Sequence, residues 1–179
     1  SIKDIFLNIF GIGEKKAEEL IEKNIKSLDD LKLHQDEIQT NKLPLLNAKQ
    51  KIGLKYYEPL LKRIPRTEIE EYKTLLTNIF KKITNDNLES NKFEIVGSFR
   101  RGKKDSGDID IIITSKTNDK TIFNKFIEEL TKEKILIELL SKGDTKSLTI
   151  GKLNSDNAIP RRLDFLYSPP DEYAFAVLY

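Results

Sequence analysis

The stretch that most constrains the fold is residues 93–114, FEIVGSFRRGKKDSGDIDIIIT, in which a polar turn joins two apolar segments. Residues 93–96 predict a short strand, and the Gly-Ser pair at 97–98 ends it with a flexible turn. Residues 108–114 predict a second strand, whose isoleucine run at 111–113 is apolar enough to be buried on both faces. We therefore expect a packed sheet with a small polar turn leading into one of its buried strands.

Two carboxylates lie at the head of the second strand. Because successive strand side chains alternate, Asp108 and Asp110 point to the same face, with Cα atoms roughly 6.5 Å apart. Such close like charges repel, and a bound divalent cation is the usual remedy, although a solvated strand end with two surface acids is the alternative. Asp164, in another apolar run, is a candidate third carboxylate, or else it pairs with neighbouring Arg161 or Arg162.

The turn between the two strands adds an anion-binding pattern to the acids. Backbone N–H groups at Gly97-Ser98 can approach an anion closely, and Arg100 and Arg101 follow immediately. An anion cradle on one side and metal-binding carboxylates on the other are what a nucleotidyl transferase needs. The composite pattern therefore favours that class of enzyme over a structural role for the acids.

Composition bounds the remaining possibilities. The chain has 179 residues, 38% of them hydrophobic, which suits one ordinary domain or two small ones. Its 31 basic and 29 acidic residues leave a net charge of +2, so any nucleic-acid surface must be local. Absence of cysteine excludes disulfides, and no apolar run approaches the roughly 20 residues of a membrane span. We expect an intracellular, soluble protein, and a chain without methionine that begins at Ser1 indicates a trimmed or internal fragment.

The amino-terminal part predicts a helix-hairpin-helix. Residues 2–10 and 14–23 have apolar side chains at helical spacing, and Gly11-Ile12-Gly13 lies between them. The first turn of the second helix then presents backbone N–H groups, with Lys15 and Lys16 nearby, to which a phosphate can bind without any base being read. The alternative is a helical corner in which the glycines only permit close packing.

Periodicity predicts an α+β chain, with a helical part first and, after a boundary at 62/63, a part that contains a sheet; the family resemblance given below implies that this sheet is mixed. Residues 49–61 predict a helix with a break near Gly53 or Pro59. The other predicted helices are 67–83, 121–132 and 171–179, and the remaining predicted strands are 135–140, 147–153 and 161–167.

Motifs along nearly the whole chain carry a family resemblance. They are GIG at 11–13, QKIGLKY at 50–56, RIPR at 63–66, GSFRRG at 97–102, SGDID at 106–110, KGDTK at 142–146, RRLD at 161–164 and VLY at 177–179. In this order and at these separations, the chain resembles the fingers and palm of the family X DNA polymerases, the polymerase beta-like family. The resemblance implies a helical fingers subdomain over 1–62 and a nucleotidyltransferase palm over 63–179.

The resemblance also implies the catalytic residues. Asp108, Asp110 and Asp164 match the three catalytic carboxylates, which hold two Mg²⁺ ions, with Mn²⁺ as a substitute. One ion activates the primer 3′-hydroxyl and the other holds the triphosphate, and Asp164 is the candidate acceptor of the hydroxyl proton. Arg100 and Arg162 are expected to orient these carboxylates.

Substrate contacts follow from the same matches. The residues matched to nucleotide binding are Arg63, Ser98, Arg101, Ser106, Gly107 and Tyr179. All but the last would hold phosphates, and Tyr179 would lie against the nucleotide sugar. At the hairpin, Gly11, Gly13, Lys15 and Lys16 would contact DNA phosphates. The carbonyl groups of Leu7, Ile9 and Ile12 would ligate a monovalent cation, sodium or potassium.

The resemblance implies a monomeric DNA-directed DNA polymerase of the gap-filling, base excision repair type, acting on gapped or nicked primer-template DNA with a deoxynucleoside triphosphate. Its expected location is away from membranes, in the nucleus of a cellular eukaryote or in a virus. The family's lyase domain and thumb have no counterpart in this sequence, so weak or absent activity is expected of this fragment alone. Two alternatives stay open: a template-independent nucleotidyltransferase and a non-catalytic DNA-binding module.

Overall fold

The computed structural model describes residues 1–178, and the chain divides into two units, Ser1–Glu58 and Pro59–Tyr179. This division does not decide the boundary expected at 62/63, which stays a prediction. Within the described residues, no helix combines the length and the apolar character needed to cross a bilayer.

The first unit is helical. Its helices are α1 Ile2–Leu7, α2 Glu14–Glu22, α3 Leu28–His34 and α4 Ala48–Leu60, the last of which ends just beyond the unit. Ser1 and Ser27 cap α1 and α3 with their hydroxyl oxygens, which accept backbone N–H groups three residues ahead. The core residues are Phe6, Ile9, Ile12, Ala17, Leu20, Ile25, Leu31, Leu45, Leu46 and Leu54.

Two expectations for this unit are corrected. The first helix ends at Leu7, because the N–H groups of Ile9 and Ile12 donate three residues back, each at 3.1 Å, in tight turns that keep Ile9 and Ile12 in the core. The predicted break in α4 is also wrong. The helix runs through Gly53, where a Cβ would overlap the carbonyl oxygen of Phe10, so this glycine permits close packing rather than a kink.

The second unit is built around a sheet with helices. Its elements are β1 Ile64–Pro65, α5 Arg66–Ile83, β2 Asn91–Val96, β3 Asp105–Ser106, β4 Ile109–Ser115, α6 Thr121–Lys132, β5 Leu136–Lys142, β6 Lys146–Gly151, β7 Arg161–Tyr167 and α7 Tyr173–Ala176. Five strands form one sheet in the order β2-β4-β7-β6-β5, in which β4 and β7 are parallel and the other neighbours antiparallel. Helices followed by a mixed sheet confirm the predicted α+β class.

The isoleucine run of β4 is buried on both faces, as predicted. Ile111 and Ile113 pack in the main core, which also takes in apolar side chains of α5 and α6. Ile112 points to the opposite face, where it packs with Val96 and with Val177, just beyond α7. Since α7 is short, much of that second face is left for polar chemistry.

A two-stranded ribbon was not predicted. β1 and β3 pair antiparallel, with Ile64 opposite Ser106 and Pro65 opposite Asp105. Each strand has only two residues and no alternation to detect, so residues 102–106 read as a polar connection. The ribbon fixes the segment after Lys62 beside the approach to β4.

Candidate metal centre

Three aspartates converge on the lightly covered face of the sheet. Asp108 directly precedes β4, Asp110 is the second residue of β4, and Asp164 lies on β7. The parallel register places Asp110 directly opposite Asp164, so the two side chains share a face. Each of the three acids offers a carboxylate oxygen, and these oxygens lie within 4.8 Å of one another.

The raised pKa values of two of the acids favour a bound cation at this cluster. Burial, reinforced by the charges of Asp108 and Asp164, raises the pKa of Asp110 to about 7. Burial also raises the pKa of Asp164, although the nearby Arg162 guanidinium opposes that shift. Half-buried carboxylates that resist ionisation in the protein alone are stabilised in their charged form by a bound positive ion.

The donor set fits a hard divalent cation. Carboxylate oxygens are the protein ligands that Mg²⁺, Mn²⁺ and Ca²⁺ prefer, and the acids are close enough to share an ion. Asp108 is exposed while Asp110 and Asp164 are half-buried, so an ion here would face both solvent and the sheet.

The two arginines expected to orient the acids have different partners in the structure. Arg162 lies two residues before Asp164 on β7, and its Nη2 donates to Asp164 Oδ1 at 2.6 Å. Asp164 therefore pairs with a neighbouring arginine, which was one of the two interpretations of the sequence, and it also lies among the three acids. Arg100 instead forms an ion pair with Glu94, Nε to Oε2 at 3.6 Å, and no described contact supports its expected role.

The turn after β2 lies against the acids. Gly97 has φ +68°, a left-handed conformation that favours glycine, and a Cβ there would lie 3.1 Å from Asp110 Oδ2. The carbonyl of Gly97 accepts the backbone N–H of Arg101 at 3.1 Å, and Arg101 Nη2 donates to Ser98 Oγ at 3.4 Å. The structure thus brings together Ser98 and Arg101, two of the expected phosphate contacts.

Arg66 supports this turn, a role that the motif RIPR did not reveal. Its Nη1 donates to the carbonyl of Phe99 at 2.6 Å, and its guanidinium lies 4.1 Å from the centre of the Phe99 ring. Its backbone N–H also donates to the carbonyl of Lys104 at 2.9 Å. A residue at the start of α5 therefore holds the turn in place.

The other expected phosphate contacts meet at the ribbon. Arg63 Nη1 lies 3.2 Å from the position that a Cβ on Gly107 would take. Ser106 is 2% exposed, and its hydroxyl has no hydrogen-bond partner among the described residues. Arg63, Ser106 and Gly107 are thus close together, whereas Tyr179 lies outside the described residues.

A cavity of about 430 Å³ opens beside the acids. Asp110, Asp164 and Gly97 line it together with Lys146, whose charge opposes in small part the rise that burial causes in the pKa of Asp164. Its apolar lining includes Val96, Ile112, Leu166 and Ala176. The place of Lys146 was not predicted, because only the register of β6 beside β7 brings position 146 to this face.

The hairpin in the first unit combines packing with an open surface. Gly11 has φ +89°, and its carbonyl accepts Gln50 Nε2 at 3.0 Å, which is a packing role. Gly13 precedes the first turn of α2 and has open space around its Cβ position. Lys15 is exposed, and Lys16 pairs with Glu19 at 2.7 Å.

The expected cation site at the hairpin has one carbonyl already engaged. The carbonyl of Ile9 accepts the N–H of Ile12 at 3.1 Å, leaving its second lone pair for a ligand. The expected roles of Leu7, Ile9 and Ile12 toward a monovalent cation stay predictions.

Comparison with known families identifies both parts of the chain. Residues 63–170 match the model of the DNA polymerase beta palm, and residues 4–61 match the fingers domain of DNA polymerase lambda.

Individual relatives agree with these matches. The chain is 30% identical to DNA polymerase lambda of Arabidopsis thaliana over 185 aligned residues, covering 97% of this chain and 32% of the relative. It is 31% identical to DNA polymerase lambda of Rattus norvegicus, covering 99% of this chain and 30% of the relative. It is also 30% identical to DNA nucleotidylexotransferase of Xenopus laevis over 134 residues, covering 74% of this chain and 24% of the relative.

The chain thus spans about a third of the length of the curated polymerases that it matches. The palm match alone, residues 63–170, covers more than half of the 179 residues and contains all three acids. The chain belongs to family X of the DNA polymerases.

Proposed function

We propose that this protein is a repair-type DNA polymerase that adds a deoxynucleotide to a primer 3′-hydroxyl in gapped or nicked duplex. The observation that carries the proposal is the convergence of Asp108, Asp110 and Asp164 beside the turn at Gly97. Acids that can bind metal, next to a turn that can bind phosphate, suit phosphoryl transfer. This reaction is catalysed mainly by positioning and by charge stabilisation.

Asp108, Asp110 and Asp164 would hold two Mg²⁺ ions, with Mn²⁺ as a substitute. When bound, such ions activate a hydroxyl nucleophile and neutralise the charge of the departing pyrophosphate. Asp164 is the proposed acceptor of the hydroxyl proton, because it lies among the acids that would hold the ion at which the hydroxyl is activated. Arg162 fixes the Asp164 carboxylate through its 2.6 Å hydrogen bond, so the acid is oriented before substrate binds.

The triphosphate would lie against the turn and the ribbon. Arginines offer a planar pair of donors to phosphate, and hydroxyls with backbone N–H groups complete the cradle. Arg63, Ser98, Arg101, Ser106 and Gly107 are the proposed phosphate contacts. The buried hydroxyl of Ser106 has no partner within residues 1–178, which supports this assignment, because a buried donor without a partner favours a ligand that accepts its hydrogen bond. Tyr179 is the proposed contact to the sugar.

The hairpin is proposed to bind the DNA backbone. Gly13 has space around it for a phosphate to approach the first N–H groups of α2, and the exposed Lys15 adds positive charge. Gly11 and Lys16 complete the proposed contact, and sodium or potassium would bind at the carbonyls of Leu7, Ile9 and Ile12. Such contacts carry no base information, so this surface would hold any duplex sequence equally.

The broader assignments follow the family. The fingers would end at 62 and the palm begin at 63, a boundary supported by the two matched stretches. The relatives come from a plant, a mammal and an amphibian, which favours a nuclear enzyme over a viral one. We propose that the protein acts as a monomer.

The test is Mg²⁺-dependent extension of a primer in a short gap by the full-length parent protein, with Asp164→Ala and a matched control, Asp156→Ala, in an exposed loop. We expect Asp164→Ala to abolish extension while duplex affinity changes little, and Asp156→Ala to extend like the wild type. Equal extension by Asp164→Ala and the wild type would remove Asp164 from catalysis.

A template-independent nucleotidyltransferase is the second candidate, because the nucleotidylexotransferase of Xenopus laevis matches 74% of the chain. The same assay on a single-stranded primer distinguishes the two activities. Extension of the single strand with none in the gap would favour the second candidate.

A further inference from the structure

The guanidinium of Arg63 is engaged by a carboxylate of the same chain. Arg63 Nε and Nη2 both donate to Asp105 Oδ1, at 3.1 and 2.9 Å. Nε and Nη2 form one of the two guanidinium edges with which an arginine binds an oxyanion through a pair of hydrogen bonds. In this structure Asp105 therefore occupies one binding edge of Arg63, a residue that the triphosphate is proposed to contact.

The position of Asp105 is set by the fold. Asp105 and Ser106 form β3, whose pairing with β1 places Asp105 opposite Pro65, two residues beyond Arg63. The ribbon thus holds the carboxylate within reach of Arg63 before any ligand arrives.

The sequence just before Asp105 is strongly basic. Asp105 follows directly after the basic run Arg100-Arg101-Gly102-Lys103-Lys104, and its carboxylate pairs with a further arginine, Arg63. An acid at this place lowers the positive potential where a polyanion would bind.

We propose that Asp105 competes with the nucleotide triphosphate for Arg63 and thereby weakens nucleotide binding. This inference rests on the proposed function of the same site. An incoming phosphate oxygen takes the place of Asp105 Oδ1 on Nε and Nη2, and the displaced carboxylate turns to solvent. Asp105 is then an internal competitor whose removal tightens binding.

The expected size of the effect follows from the exposure of the pair. The side chains of Arg63 and Asp105 are 60% and 37% exposed, so the ion pair is weak and a triphosphate can displace it. Removing such a competitor should tighten triphosphate binding by roughly two- to fivefold.

The experiment is calorimetric titration of the protein with inorganic tripolyphosphate and Mg²⁺, which needs neither DNA nor turnover. Asp105→Asn keeps the shape of the side chain but removes the charge, and we expect it to bind roughly two- to fivefold more tightly than the wild type. Glu129→Gln is the control, because it removes one negative charge on α6, where Glu129 pairs with Lys82.

A second arm places Asp105→Asn in an Arg63→Met background, where we expect it to change affinity no more than the control does. Should Asp105→Asn disturb the ribbon, Asp105→Ser gives the same comparison. Equal affinity of the wild type and both Asp105 variants, or no binding by any of them, overturns the inference. Equal tightening with or without Arg63 overturns it too. Primer extension by the wild type tests the polymerase proposal separately.

Discussion

Asp110 is the residue at which burial and like charge act together. Its pKa is raised to about 7 by burial and by Asp108 and Asp164, against about 3.9 for an aspartate in an unfolded chain. Between these values the folded protein binds more protons than the unfolded chain. The free energy of unfolding of the metal-free protein should therefore fall as pH rises from about 4 to about 7.

Urea denaturation in the presence of EDTA at a series of pH values measures this slope. Asp110→Asn cannot ionise, so we expect it to remove most of the fall, with the smaller remainder coming from Asp164, whose pKa is also raised. A wild-type stability that is flat across this range would contradict the electrostatic account of the cluster.

Gly97 and Gly102 form a matched pair of backbone positions. Both have a left-handed φ, +68° and +81°, but a Cβ on Gly97 would meet Asp110 Oδ2 at 3.1 Å whereas one on Gly102 would meet nothing within 4 Å. We expect either alanine variant to lower the free energy of unfolding by about 1–2 kcal/mol. Only Gly97→Ala should also weaken Mg²⁺ binding, measured by calorimetry, and equal Mg²⁺ affinity in both variants would contradict this.

Arg161 joins three segments of the second unit at the level of whole elements. Its side chain is 3% exposed, and it donates from Nε and Nη2 to Glu68 in the first turn of α5, at 2.6 and 3.0 Å. Its Nη1 donates to the carbonyl of Arg63 at 3.1 Å. The start of β7 is thereby tied to α5 and to the segment that carries Arg63.

Breaking this buried pair from one side should be costly. Glu68→Leu alone leaves an uncompensated guanidinium and should lower the free energy of unfolding by about 3–5 kcal/mol. Replacing both partners, Arg161→Met with Glu68→Leu, should recover most of that loss, because a packed apolar pair carries no desolvation penalty. Denaturant titration of the three proteins checks this, and a double variant no more stable than Glu68→Leu would count against the pair.

The elements that could be predicted are those whose pattern is long and local. The helix Thr121–Lys132 and the strand Arg161–Tyr167 have the predicted bounds, because each carries a full apolar period and a clear end. Gly53 was misread as a break, because a glycine that permits close packing and one that ends a helix look alike in sequence. The β1–β3 ribbon depends on a partner about 40 residues away.

The candidate site could be predicted only in part, for the same reason. The motif around Asp108 and Asp110 singled out these acids, and the apolar run around Asp164 made it a candidate third carboxylate. The family resemblance added Arg63, Ser106 and Gly107 as phosphate contacts. The residues that support the site could not be predicted from the sequence. Lys146 reaches the cavity because of strand register, and Arg66 reaches the turn after β2 through tertiary packing.

At the scale of the whole molecule, the two units have separate hydrophobic cores. A lesion in the first core should therefore expose the amides of the first unit before those of the second. Gly53→Ala forces a Cβ against the backbone of Phe10, and we expect a loss of roughly 2–4 kcal/mol in the unfolding free energy of that unit. Gly13→Ala, with open space at its Cβ, should change it by less than about 1 kcal/mol.

Amide hydrogen exchange followed by mass spectrometry tests whether the first unit opens before the second. In Gly53→Ala, peptides covering α1 and α4 should exchange faster, while peptides covering β4 and β7 keep their wild-type rates. Equal acceleration in both units would mean that the two cores unfold as one.

The central claim is that Asp108, Asp110 and Asp164 together hold divalent cations, and calorimetric titration with Mg²⁺ at pH 8 tests it most directly. The account predicts that the wild type binds Mg²⁺, that Asp164→Asn weakens this binding by about tenfold or more, and that the exposed control Asp156→Asn does not change it. The same Mg²⁺ affinity in Asp164→Asn and the wild type, or no binding by the wild type, would contradict it.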